Sequence, residues 1–182
     1  DTSMAYKLLK TLAGKRDSLT SGKKFENITD GQAPFCMSVE CSDSRYCSSW
    51  TLSSSAGDKF GAATNVMGVV QPKEEKDRSI LAAFTFPLLY LNSVEAIVIM
   101  GHTHCGGIGV MVNSIMEGKT RESGMIEDWV LPMAAEGLAT SILDAQFKGK
   151  TADDLTPIVE RITVLQSAKN LLSYTLNDSG DS

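Results

Sequence analysis

Two short apolar segments run directly into clusters of cysteine, histidine and charged side chains. The first, "FCMSVE" (residues 35–40), follows the polar turn "NITDGQAP" and ends at Cys41. The second, "VEAIVIMG" (residues 94–101), leads straight into "HTHCGG". Their length and their turn-forming boundaries predict two buried strands. Each predicted strand therefore ends at residues that can bind a metal.

The rest of the chain alternates between helical and strand patterns. Residues 58–66, "DKFGAATNV", form a weaker strand candidate because glycine and alanine have low β-propensity. Apolar spacing predicts an N-terminal amphipathic helix over roughly residues 3–21 and a helix over 80–91 that Pro87 kinks or breaks. Two long helices are expected later, over 125–147 and from an N-cap at Asp153 or Asp154 to about residue 176.

Strands that alternate with helices predict an α/β fold with a central, mostly parallel sheet flanked by helices. Ligands of such sheets bind beyond the carboxyl ends of the strands. If the two strands are neighbours, Cys41, His102 and Cys105 meet in one crevice.

Length and charge restrict the function classes. The 182 residues suit one domain, and 17 basic against 22 acidic residues give a net charge of -5 without a basic cluster. We therefore expect neither a nucleic-acid nor a membrane partner. Four cysteines are too few for a disulfide framework, and their grouping favours metal binding in a reducing compartment. The N-terminus lacks a signal-peptide pattern, although a removed targeting segment would leave no trace.

Zinc is the metal that thiolate and imidazole ligands favour, and catalytic zinc sites use three protein ligands. Cys41, His102 and Cys105 supply such a set, while a buried, non-ligating cysteine is the competing interpretation of each thiol. Asp43 can accept a hydrogen bond from water at the metal, and Arg45 can hold that carboxylate ionised. The alternative for Asp43 and Arg45 is a surface ion pair worth at most about 1 kcal/mol.

Together these residues resemble the β-class carbonic anhydrases, whose pattern is CxDxR followed by HxxCGG. "CSDSR" and "GHTHCGG" match it in order, and "GQAP", "YCSSWTLSSSAGDKF", "IEDWV" and "VERITVLQSAKNLLSYTL" extend the similarity over roughly residues 30–176. The resemblance implies a Zn²⁺ enzyme that reversibly hydrates carbon dioxide to bicarbonate and a proton. It assigns the metal to Cys41, His102 and Cys105, and the catalytic pair to Asp43 and Arg45.

The resemblance also implies a substrate pocket and an assembly. Its pocket residues would be Gln32, Phe60, Phe86 and Gly106. It implies a single domain over residues 1–182 whose N-terminal helical arm, about 1–30, is used in a homodimer or higher homo-oligomer. Family members continue with further strands beyond the last helix, so either the natural chain continues or another element covers the sheet edge. The cytoplasm or an organelle lumen would be the location.

Several positions depart from the family pattern. Ala63 and Thr64 stand where relatives commonly have Arg and Asn, and Phe86 stands where many have a tyrosine. His104 replaces a small residue and is a proton shuttle, a spare ligand or a solvated ring. These changes leave open a hydrolase of carbonyl sulfide or carbon disulfide, and a zinc-retaining relative without turnover. Whether Asp43 itself binds zinc and closes the site is also open.

Overall fold

The computed structural model describes residues 10, 31–52, 57–134, 138–144 and 147–174. The chain divides into two compact units, Asp1–Gly31 and Gln32–Ser182, and the strands and helices given below belong to the second. The N-terminal helix expected over residues 3–21 lies outside the described residues apart from Lys10, so its predicted part in dimerisation stays a prediction. Among the described residues, no helix is long and apolar enough to cross a membrane.

The described strands form one parallel sheet in the order β2-β1-β3. They are β1 (Cys36–Cys41), β2 (Lys59–Asn65) and β3 (Ala96–Met100). The central strand β1 is buried along almost its whole length, as a strand with a neighbour on each side must be. Its register pairs Cys41 with Asn65 and Glu40 with Met100, so the three strands end side by side. The predicted fold class is confirmed.

Six α-helices accompany the sheet within the described ranges: α1 (Ser48–Thr51), α2 (Arg78–Phe86), α3 (Gly106–Met116), α4 (Met125–Val130), α5 (Leu138–Ile142) and α6 (Ala152–Ser173). One apolar cluster packs Met37 and Val39 of β1 against Ile80 and Phe84 of α2. A second cluster joins the apolar faces of α3, α4 and α6 to the carboxyl end of β1 at Cys41. The candidate site therefore lies at the border of the larger core.

Pro87 ends α2 as predicted, and the chain continues as a π-helical turn over Pro87–Leu91. The prediction of a single long helix over 125–147 is wrong. After α4, residues Leu131–Ala134 form a 3₁₀ turn before α5 begins. Pro132 lies in that turn, and proline lacks the N–H that a continuing α-helix would use.

The start of α6 also differs from the prediction. Thr151 is the N-cap and accepts the N–H of Asp154, whose carboxylate in turn accepts the N–H of Thr151. Asp154 is therefore the third residue of a capping box, not the cap. Helix α3, which the sequence patterns did not predict, begins immediately after Cys105.

Candidate metal centre

Three metal-binding side chains converge at the carboxyl end of the sheet. Cys41 is the last residue of β1, and His102 and Cys105 follow β3, which pairs with β1. One ligand atom from each of the three lies within 4.8 Å of the others. The sulfurs of Cys41 and Cys105 are 3.9 Å apart, and both residues are buried. The crevice expected from the sequence is thus formed by a single chain.

The ring of His102 is held in one orientation. Its Nδ1 lies 3.0 Å from the carbonyl oxygen of Thr103, and its Nε2 is buried without a hydrogen-bond partner among the described residues. An Nδ1–H that donates to Thr103 leaves Nε2 as the free lone pair, as in metal-ligating histidines. Tyr46 stacks on the imidazole with ring centroids 5.9 Å apart, and its hydroxyl donates to Met100 Sδ.

The thiol of Cys105 is not disposed to ionise without a cation. Burial raises its pKa to about 11, and the nearby Cys41 sulfur adds to the rise. The backbone N–H groups of Ile108 and Gly107 act in the opposite direction and lower this pKa, but less than burial raises it. The Cys105 side chain makes no capping hydrogen bond to α3. A bound cation would supply the missing stabilisation of thiolate. Two sulfurs and one unpartnered imidazole nitrogen fit the ligand preferences of zinc.

Asp43 and Arg45 form a two-pronged ion pair beside this cluster. Arg45 Nε donates to Asp43 Oδ1 at 2.9 Å and Nη2 donates to Oδ2 at 2.6 Å, while the Arg45 backbone N–H also reaches Oδ1. These bonds hold the pKa of Asp43 well below its ordinary range. Nη2 also donates to the carbonyl of His104 at 2.9 Å, which connects the pair to the segment between the ligands. Asp43 and Arg45 are therefore more than an isolated surface pair.

The loop after β2 packs against Cys41 and the metal-binding cluster. A Cβ at Gly68, where φ is +66°, would come within 2.6 Å of the Cys41 nitrogen, so glycine is required there. The side chain of Asn65 closes the loop by bonding both backbone groups of Val69. Met67 at the tip is buried in the cluster that contains Cys41 and Cys105. The loop thus covers the metal-binding sulfurs on one side.

The predicted pocket residues do not all lie here. Gly106 does, as the first residue of α3 after Cys105. Phe60 pairs with Met37 at the amino end of the sheet, four residues and roughly 13 Å along the strand from Cys41. Phe86 contacts Phe60, with ring centroids 6.1 Å apart, and Gln32 precedes β1 on an exposed segment. A single chain therefore separates Gln32, Phe60 and Phe86 from its own metal centre.

Two residues near the metal centre received no role from the sequence. Tyr46 contacts His102, and Glu160 of α6 accepts the backbone N–H of Cys105 at 2.8 Å. The available signal for Glu160 was its helical spacing to Thr163 and Ser167, which lie three and seven residues later and are also buried in α6. No local pattern marks Tyr46. Cys36 is buried and Cys47 is exposed, and neither joins the metal-binding group that the described residues form.

Comparisons with known proteins agree with the geometry. The family profile described as carbonic anhydrase matches residues 36–179. The mitochondrial beta carbonic anhydrase 6 of Arabidopsis thaliana is 29% identical over 153 residues, which cover 84% of this chain and 51% of that protein. The chloroplastic beta carbonic anhydrase 5 of the same plant is 36% identical over 107 residues, 59% of this chain and 34% of that protein. The chain therefore spans at most about half the length of these relatives.

A solved structure gives the same result at the level of the fold. The β-carbonic anhydrase CcaA superimposes with a TM-score of 0.74 and 26% sequence identity. The superposition covers 97% of this chain and 77% of that one. The similarity therefore extends over nearly the whole chain and is not limited to the two cysteine-bearing motifs.

Proposed function

This chain belongs to the β-class carbonic anhydrase family, and we propose that it catalyses the zinc-dependent reversible hydration of carbon dioxide to bicarbonate and a proton. One observation carries the proposal. The three metal-binding atoms lie within 4.8 Å of one another, and a two-pronged carboxylate–guanidinium pair is bonded to the segment that bears two of them. A purely structural metal site would have no evident use for that pair.

The three donors would hold the zinc ion through the sulfurs of Cys41 and Cys105 and through Nε2 of His102. Zinc held in this position would lower the pKa of a water molecule and act as a Lewis acid. Two thiolates would balance the formal charge of the ion, so that water would be less acidified than at a site of three neutral imidazoles. A hydrogen-bond acceptor next to the water therefore contributes more here than at an all-histidine site.

Asp43 is the acceptor that we assign to this task. A carboxylate has about four lone-pair positions, and Arg45 occupies three of them with its backbone N–H, Nε and Nη2. One position is left to accept a hydrogen bond from the nucleophilic water. Because Arg45 binds both carboxylate oxygens, we propose that Asp43 works as an acceptor and does not ligate the metal.

We further propose that the active form is a homodimer. Phe86 is 43% exposed and Tyr90 is 59% exposed. Their rings stack on each other, and the ring of Phe86 also contacts Phe60 at the amino end of the sheet. Aromatic side chains that are exposed in a single chain are typical of surfaces that become buried when two chains associate. Gln32, Phe60 and Phe86 would then form the pocket wall of a second copy, because they are remote from the metal centre of their own.

Stopped-flow hydration of carbon dioxide by the zinc-loaded chain, with metal content measured on the same sample, tests the proposal. We expect one zinc per chain and hydration far above the buffer rate. A parallel assay for hydrogen sulfide release from carbonyl sulfide separates the alternative hydrolase. Full zinc content with neither activity would contradict an enzymatic function.

A further inference from the structure

Helix α6 buries a carboxylate against the metal centre. Glu160 is only 8% exposed, and its Oε1 accepts the backbone N–H of Cys105 at a distance of 2.8 Å. Removing a carboxylate from water is costly, so a buried one needs a compensating partner. The partner here is the amide of a metal-binding residue 55 positions away in the chain.

The amide of Cys105 needs an acceptor for a local reason. Cys105 is the N-cap of α3, and its backbone is extended (φ −70°, ψ 115°), so its N–H has no partner inside the helix. In a capping box, the acid at the third helical position accepts this N–H. That position is the apolar, buried Ile108. Glu160 therefore supplies from α6 the acceptor that α3 lacks.

The segment between β3 and α3 also lies very close to α6. A Cβ at Gly101 would come within 2.6 Å of the Val164 side chain. The cavity between them measures about 10 Å³ and is lined by residues that include His102, Cys105, Glu160 and Thr163. This volume has room for one water molecule at most. The position of the Cys105 sulfur thus depends directly on the position of α6.

Other buried polar groups of α6 bind elsewhere. Ser167 and Asn170 bond the backbone of Val70, in the loop that follows β2. Thr163 donates to the carbonyl of Val159 within its own helix. Among these buried polar residues, Glu160 is the one bonded to a residue of the metal-binding group.

We propose that Glu160 is a positioning residue for the metal centre, which fixes the Cys105 sulfur by accepting the Cys105 backbone N–H. The inference rests on the metal centre assigned under the proposed function. The hydrogen-bond acceptor performs the task, and the negative charge does not. A neutral side chain of the same shape that keeps the oxygen should therefore replace Glu160.

Cobalt and zinc binding to the full chain test this assignment without any measurement of catalysis. The metal is removed, and Co²⁺ is added while the thiolate-to-metal and visible absorption bands are recorded. Zinc affinity is then measured by competition with a chromophoric chelator. The variants are Glu160→Gln, which keeps the acceptor; Glu160→Asp, which keeps the charge but loses reach; and Glu160→Met, which keeps neither. Thr163→Val is the matched control, since Thr163 lines the same cavity.

We expect the Glu160→Gln and Thr163→Val variants to keep the wild-type cobalt spectrum. The Glu160→Asp and Glu160→Met variants should shift it and lose about 10–100-fold in zinc affinity. Wild-type binding by Glu160→Met would overturn the proposal, as would normal binding by Glu160→Asp together with loss in Glu160→Gln. If Glu160→Met does not fold, the other two variants decide the matter.

Failure here is distinguishable from failure of the proposed function. Wild-type protein that shows cobalt–thiolate bands but no hydration would contradict the enzyme and leave the role of Glu160 intact. Wild-type protein without those bands would overturn both.

Discussion

The two ends of the parallel sheet differ in how completely a single chain buries their side chains and supplies their hydrogen-bond partners. At the carboxyl end, Cys41 and Cys105 are buried, and the neighbouring loops are tied by Asn65, Glu160 and Asn170. At the amino end, the ring of Phe86 stacks on Tyr90 and contacts Phe60, and both Phe86 and Tyr90 are exposed. Buried metal-ligating atoms on a backbone held by hydrogen bonds are suited to bind an ion, whereas exposed aromatic rings are suited to bind another protein surface.

The largest expected effect is at the carboxyl end. Cys41→Ser removes one thiolate, so zinc content should fall from one per chain toward zero and hydration should be lost with it. Stability should fall as well, because metal binding is coupled to folding. Metal analysis and thermal unfolding on the same preparation check this. The exposed Cys47, changed to serine, is the control that should alter neither. Full zinc occupancy in Cys41→Ser would refute the ligand assignment.

A second substitution separates metal binding from chemistry. Asp43→Asn keeps the shape of the side chain but replaces a carboxylate oxygen that accepts hydrogen bonds with an amide NH₂ that donates them, so hydration should fall about 10²–10⁴-fold while zinc remains bound. Stopped-flow rates and metal content measured together check this. Asp153→Asn, an exposed acid in the first turn of α6, should leave the rate unchanged. An unaltered rate in Asp43→Asn would make Asp43 an ordinary surface acid.

Close packing around Cys41 can be tested by a matched pair of glycines. Gly68 and Gly118 have nearly the same positive φ, +66° and +67°, but a Cβ at Gly68 would crowd its neighbours, whereas no described atom lies within 4 Å of a Cβ at Gly118. We expect Gly118→Ala to lose about 1 kcal/mol in unfolding free energy from backbone strain. Gly68→Ala should lose about 3 kcal/mol or more. Equal losses in urea unfolding would show that the close approach to Cys41 has no cost.

At the amino end, the expected effect is on assembly. Phe86→Ser should weaken the proposed dimer by about 1–2 kcal/mol, roughly 5–30-fold in its dissociation constant, because aromatic side chains dominate interface energies. Sedimentation velocity over a concentration series measures this shift. Met125→Ser is the control, since Met125 is 83% exposed and lies at the start of α4. A monomeric wild-type chain with full activity would contradict the shared pocket.

The smallest expected effect is on the pH dependence of the metal-free protein. The pKa of Cys105 rises from its ordinary 9.0 to about 11 in the folded state, so the native chain keeps a proton that the unfolded chain releases. The free energy of unfolding should therefore be unaffected by Cys105 below pH 9 and should decline as the pH rises toward 11. Urea midpoints at pH 7, 9 and 10.5 test this. With zinc bound the thiolate is already formed, so a steeper decline in the zinc-loaded protein would contradict the account.

Much of the fold follows from local sequence patterns. The apolar segments before Cys41 and His102 formed β1 and β3 because their length and boundaries suit strands. Pro87 ended α2 because proline has no N–H to donate. The prediction of one long helix over 125–147 was wrong, since its apolar spacing suits a long helix but the chain forms a 3₁₀ turn at Leu131–Ala134. Helix α3 was missed because its first residues are glycines of low helix propensity.

The sequence by itself predicted the candidate metal ligands, the neighbouring Asp43–Arg45 pair and the strands that carry them, because these depend on residue type and short spacing. Only the tertiary structure decided which groups meet across long separations. It paired β1 with β3 and so joined Cys41 to Cys105, it placed Glu160 on the Cys105 amide, and it put Phe60 at the far end of the sheet. Strand register and helix packing fix such distances, and neither is written in a local pattern.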